Sequence, residues 1–128
     1  MNYLFRGFTG KQWVYGQGAD KELSVILSAS IPNEKTGNVF AVAKSVNMDT
    51  IGQWSGLTDK NGVQIFEDDI VKHYTYDDEQ PVIKVICFFK GSFIAQPIAV
   101  EAHSYHSLIN FTPLRTFEVI GNIHQQSY

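Results

Sequence analysis

The sequence predicts a mainly β, multi-stranded antiparallel protein with at most one short helix, and three observations carry that expectation. Its apolar stretches are short and rich in Val, Ile, Phe, Tyr and Trp. Gly, Asn, Asp and Pro punctuate them. The pair Asn61-Gly62, flanked by Leu57 and by Val63 and Ile65, marks a tight turn with a physical cause, since both residues tolerate positive φ. The 128 residues, 44% of them hydrophobic, suit one domain over 1–128 that buries roughly two thirds of the surface its unfolded chain would expose.

The elements follow in order. Tyr3 to Arg6 is a first strand, and Gln12 to Gly16 its hairpin partner. Leu23 to Ser28 is a third. The polar segment from Ser30 to Asn38 reads as a surface loop, after which Val39 to Val42 resumes as a strand. Ile51 to Trp54 leads into the Asp59-Lys60-Asn61-Gly62 turn. Ile70 to Tyr76 is separated by the acidic turn Asp77 to Pro81 from Val82 to Lys90, the longest strand expected. Lys90-Gly91-Ser92 then turns into Phe93 to Ala95. Ile98, Ala102, Tyr105 and Ile109 share a helical face, so 98–109 is either a short helix or a strand. Phe117 to Ile123 closes the fold, with Gly121 assigned to a turn-forming role, and 125–128 is a polar tail. Residues 1–50 thus hold the hairpins and loop. Residues 51–124 hold an acidic bend followed by long antiparallel strands, the way a small curled barrel begins.

Charge and cysteine usage narrow the function. The net charge is −3, and no two of the ten Lys and Arg residues are adjacent. Seven of the thirteen carboxylates fall between Asp59 and Glu79. A nucleic-acid binder gathers cations against phosphates, so direct DNA or RNA binding is disfavoured here. The one cysteine, Cys87, lies in the apolar run from Val85 to Phe89 and fits a reducing compartment. The opening residues show no basic leader before an apolar stretch, and no apolar run approaches the ~20 residues that span a bilayer. A cytoplasmic protein with no membrane contact is expected.

Few residues gather for chemistry. Glu67, Asp68 and Asp69, with Asp59, offer carboxylates for Ca²⁺ or Mg²⁺ but lack the regular spacing around a Gly that such loops use; capping of backbone N–H groups explains them better. Glu101, His103 and His106 form a weak zinc set that exists only if the segment is helical. Gly16 to Lys21 lacks the third glycine and following helix of a phosphate loop. Cys87 is expected to be protonated and inert, and Ser55 lacks a nucleophile-elbow context. No cofactor is expected. Trp13, Trp54, Tyr74, Tyr76, Phe88, Phe89 and Phe93 are core residues in the main, with Trp54, Tyr74 and Tyr76 beside Glu67, Asp68 and Asp69 the ones expected to reach a contact surface.

The stretch from Thr50 to Val71, with Ile51-Gly52-Gln53-Trp54, Gly56-Leu57, Asp59-Lys60-Asn61-Gly62 and Asp69-Ile70-Val71, resembles the central signature of the YopX family. Phe5-Arg6-Gly7 with Trp13-Val14-Tyr15-Gly16 resembles that family's opening hairpin, and Val119-Ile120-Gly121-Asn122-Ile123 its closing strand. The resemblance implies a phage or prophage origin and a β-rich body containing a small SH3-like barrel, with no activity assigned. Asp68 stands where the family usually has Gly. If that position needs positive φ, Asp adopts it at a cost of roughly 1 kcal/mol or less. The function expected is that of a non-enzymatic accessory protein acting by protein–protein contact or as a homo-oligomer, ahead of a nucleic-acid-associated barrel and of a metal-dependent enzyme.

Overall fold

The structure is a computed structural model that describes residues 2–29, 35, 41–74, 81–97, 106–107 and 117–125. Its strands are β1 (Phe5–Phe8), β2 (Trp13–Gly16), β3 (Gly18–Asp20), β4 (Val25–Ala29), β5 (Ala41–Ser45), β6 (Gly52–Thr58), β7 (Gln64–Phe66), β8 (Asp69–His73), β9 (Val82–Phe89), β10 (Ser92–Pro97), β11 (His106–Ser107) and β12 (Phe117–Asn122). The helical content among the described residues is one 3-10 turn, Met48–Thr50. The protein is therefore mainly β and antiparallel, as the short β-branched and aromatic runs dictate. These elements form two compact units, Met1–Trp54 and Ser55–Tyr128.

In the first unit β1 and β2 form the expected hairpin, with Phe5 opposite Gly16 and Phe8 opposite Trp13, and β6 pairs with the free side of β1. A second sheet, β3-β4-β5, packs over it. Val14, Ile26, Val46 and Ile51 are buried between them, flanked by Phe5 and Ala19. Strand β3 departs from expectation. Gly18 to Asp20 is too short for periodicity to reveal it, and pairing with Ile26 and its neighbours draws it out of the turn. Thr50 fastens the entry to β6: its Oγ1 accepts from the Phe8 amide at 2.7 Å and donates to the Asn47 carbonyl at 2.6 Å. Gly16 permits the close approach of the two sheets, because a Cβ there would collide with the backbone carbonyl of Leu27.

In the second unit β6 continues into the Asp59 turn and returns as β7. A five-stranded sheet of order β11-β10-β9-β8-β12 forms its main body. Ile65, Val71, Ile86, Ala95 and Phe117 are fully buried on its inner side. Among the described residues no pairing joins the edge strands β11 and β12. Gly121 lies inside β12 rather than in a turn. It sits opposite Ile70 where the register with β8 shifts after Val119, a place where an unpaired residue kinks the strand. Of the segment read as helix or strand, only His106–Ser107 is described, as a strand against Ile94 and Ala95. The loop from Ser30 to Asn38 is described at Lys35 alone. Among the described residues no helix is long and apolar enough to cross a membrane.

Gly16→Ala is expected to cost about 2 kcal/mol or more in urea unfolding, since a backbone oxygen cannot swing away as a side chain can. Gly18→Ala, whose added Cβ meets Leu27 at an ordinary 3.5 Å, should change stability by less than about 1 kcal/mol. Equal effects would contradict the packing described.

Candidate functional site

Alternation along the first hairpin sorts its side chains onto two unlike faces. Gly7, Val14 and Gly16 turn toward the core, and all three are buried. Arg6, Phe8, Trp13 and Tyr15 turn the other way, joined by Leu4 before β1 and Trp54 of β6, whose amide donates to the Leu4 carbonyl. The Arg6 guanidinium lies 4.2 Å from the Trp13 ring centroid, and Trp13 packs against Phe8 at 5.1 Å. Tyr15 meets Tyr3 at 5.7 Å. An antiparallel sheet with one covered face normally carries polar side chains on the other. Here the other side of the hairpin is aromatic around Arg6, which is itself buried at 6% exposure, while Leu4 and Tyr15 at 45% and 39% form its exposed edge. Trp54, flagged in the sequence, belongs to this face and is half-buried. Arg6 and Tyr15 were missed, and Trp13 was expected in the core. The signal was there in the placement of glycines at alternate positions opposite the aromatics.

The acidic signature does different work. Asp59 is buried, and its Oδ1 accepts from the amides of Asn61 (2.8 Å) and Val63 (2.9 Å) while its Oδ2 accepts from the Val119 amide (2.9 Å). Gly62 takes the positive φ of 82° expected in this turn. Asp69 is also buried rather than surface-facing, and its Oδ2 accepts from the Phe66 amide at 2.8 Å, because the bend would otherwise leave that donor unpaired in the interior. Asp68 adopts a φ of 73°, a left-handed conformation that Gly takes at least cost and Asp tolerates. Its amide donates to the Ile86 carbonyl, its carbonyl accepts from Ile123, and its Oδ2 lies 2.9 Å from His124 Nε2. Glu67 is half-buried beside it. Among the described residues no three His, Cys, Asp or Glu side chains converge on a point that would hold a metal ion.

Tyr74 donates its hydroxyl to Glu118 (3.2 Å), and Lys60 lies over its ring at 4.7 Å and 3.7 Å from Glu118. This cluster is half-exposed, so its ion pair adds little. Tyr76, Glu101 and His103 lie outside the described residues, as does the side chain of His106. Phe88 and Phe89 correct the expectation of core residues. They are 49% and 44% exposed, because they sit next to the Lys90-Gly91 turn, where the hairpin runs past the packed part of the sheet. Cys87 is half-buried. Burial raises its thiol above the ordinary range, and the carboxylates of Asp68 and Glu67 raise it further. Lys84, the one cation in β9, faces inward and contacts His73, a pairing the sequence concealed inside an apolar run.

The family described as YopX protein matches residues 4–128. Among solved structures the chain is similar to protein EF1440 from Enterococcus faecalis, at 22% identity and a TM-score of 0.56, over 98% of this chain and 95% of that one. At that identity the likeness is one of fold. No curated protein matches the chain.

Asp59→Ala strands three amides, two in a turn and one in a distant strand, and should lower stability by roughly 3 kcal/mol or more. Asp59→Asn keeps one acceptor and should cost less. Denaturant unfolding of both variants checks the order. Cys87 should be alkylated by iodoacetamide at pH 8 at least about tenfold more slowly in the folded protein than in urea, since the thiolate is the nucleophile and its fraction is suppressed. Equal rates would contradict the burial and the facing carboxylates.

Proposed function

The chain belongs to the YopX protein family, and on that premise we propose that it is a non-enzymatic accessory protein of a phage or prophage. In this reading it works in the cytoplasm of the bacterial host through protein–protein contact, self-association first. The observation that carries it is the exposed Leu4 and Tyr15 edge of the aromatic group packed around the buried Arg6. Trp, Tyr and Arg are the side chains that dominate binding energy at protein interfaces, where they are rigid, amphipathic and well packed. Leu4 and Tyr15 present apolar surface at the edge of that group, where a partner can cover it. The chemistry of the acidic bend supports the same view from the other side: its buried carboxylates are committed to backbone donors of the fold. The net charge of −3 favours a protein over a phosphate backbone as the partner. We read the five-stranded sheet of the second unit as the open body of a small SH3-like barrel, a scaffold rather than a reaction centre.

Light scattering after size exclusion, run from low to high micromolar protein, tests this reading. A mass above the monomer is expected at high concentration. Leu4→Asp combined with Tyr15→Asp should weaken association at least tenfold, which is about 1.4 kcal/mol, with the far-UV spectrum unchanged. A wild-type protein that stays monomeric at high micromolar concentration, or a variant that associates as well as the wild type, would overturn it.

A further inference from the structure

Strand β5 ends the β3-β4-β5 sheet, and among the described residues no strand pairs with its second side. Val42, Ala43, Lys44 and Ser45 are all exposed. The edge of β12 shows the alternative. There the Val119 amide donates to the Asp59 carboxylate, and the Phe117 carbonyl accepts from the Lys60 amide. An open edge presents a row of backbone donors and acceptors to any chain that can match them.

The ladder decides which groups those are. The Val46 amide donates to the Ser24 carbonyl at 2.9 Å, in the same register that sets Lys44 opposite Ile26 and Val42 opposite Ser28. Backbone groups alternate sides along an antiparallel strand. Val42, Lys44 and Val46 therefore direct theirs at β4, while Ala41, Ala43 and Ser45 aim theirs outward. The Asn47 amide keeps the phase, since it points away from β4 and donates to the Phe8 carbonyl at 2.8 Å. From Ser45 back to Ala41 the outward groups have no such partner among the described residues.

We propose that β5 pairs antiparallel with β5 of a second copy, about a two-fold axis through Ala43, so that the sheet runs on from one chain into the next. This axis sets Ala43 against its own copy and Ala41 against Ser45, and every outward group of the strand then meets a partner. A shift by one residue would oppose outward groups to inward ones. The axis also places Lys44. An edge lysine usually blunts pairing. Here it falls opposite Val42 of the second copy, with its ammonium free to reach water. A two-fold through Lys44 would set two ammonium groups face to face, and one through Val42 would carry Ser45 beyond the opposing strand. The pairing rests on the self-association proposed above and gives it a contact separate from Tyr15, because β5 and β2 belong to different sheets.

Amide exchange in the wild type, followed from low to high micromolar protein, reads the pairing residue by residue. Exchange at Ala41, Ala43 and Ser45 should slow at least about fivefold as concentration rises, while Val42 and Lys44, already bonded to β4, stay unchanged. Ala43→Pro removes an outward donor without touching the β4 ladder, and should weaken association at least about tenfold. Val42→Glu should associate at least about threefold more tightly than Val42→Lys, because it faces Lys44 of the second copy. Net charge alone would favour the Lys variant, the less negative of the two. Alternate-residue slowing that persists in the Leu4→Asp, Tyr15→Asp variant would support the pairing independently of that contact. A wild type that associates while these amides ignore concentration would overturn the β5 pairing and leave the Leu4 and Tyr15 contact standing, as would an Ala43→Pro variant that associates like the wild type. A wild type that stays monomeric at high micromolar concentration would overturn both.

Discussion

The fold hangs on the Asp59 carboxylate. Both of its oxygens are buried and directed at backbone N–H groups, two from its own turn and one from Val119, 60 residues further along the chain. Such charge-assisted bonds are about twice as strong as neutral ones and leave three costly orphans when broken. They also set the place of β12. With Val119 fixed, the Lys60 amide reaches the Phe117 carbonyl at 3.0 Å. Phe117 then fills the centre of the core and supplies the ring on which His73 stacks. At the next bend the Asp69 carboxylate repeats the device on the Phe66 amide of β7, while the Asp68 amide donates to the Ile86 carbonyl of β9.

This ordering gives two residues of the acid-rich stretch, Asp59 and Asp69, a structural task. The Asp59 and Asp69 carboxylates accept from backbone amides of the fold, so turning them to a metal or a proton would cost those bonds. In the stretch from Asp59 to Asp69, these two carboxylates hold backbone turns in place. Functional surface must then be sought where side chains are not consumed in this way. The exposed Leu4 and Tyr15 of the first unit and the exposed Phe88 and Phe89 of the second answer to that description.

Much of this architecture was legible in the residues. Glycine and β-branched punctuation located most strands within two or three positions, Asn61-Gly62 announced its turn, and Asp68 in place of glycine pointed to the positive φ it adopts. What escaped detection shares a cause. Strand β3 has three residues, too few for a period to register. In β9 apolar residues occupy both faces, so nothing in Val82 to Phe89 tells that Lys84 points inward. Phe88 and Phe89 look like core until the Lys90-Gly91 turn places them at a hairpin tip. The Arg6 face required reading Gly7 and Gly16 as inward positions, and glycine is easily taken for a turn signal instead. Local chemistry thus revealed backbone conformation well. The face each side chain takes depends on pairing register, which is a long-range property.

Amide hydrogen exchange at Asn61, Val63 and Val119 tests the central claim most directly. If one carboxylate ties the turn to the last strand, all three amides should exchange slowly and open together, with Val63 and Asn61 as well protected as their strand partner. Rapid exchange at Asn61 and Val63 beside a protected Val119 would show an ordinary solvated turn, and would contradict the account.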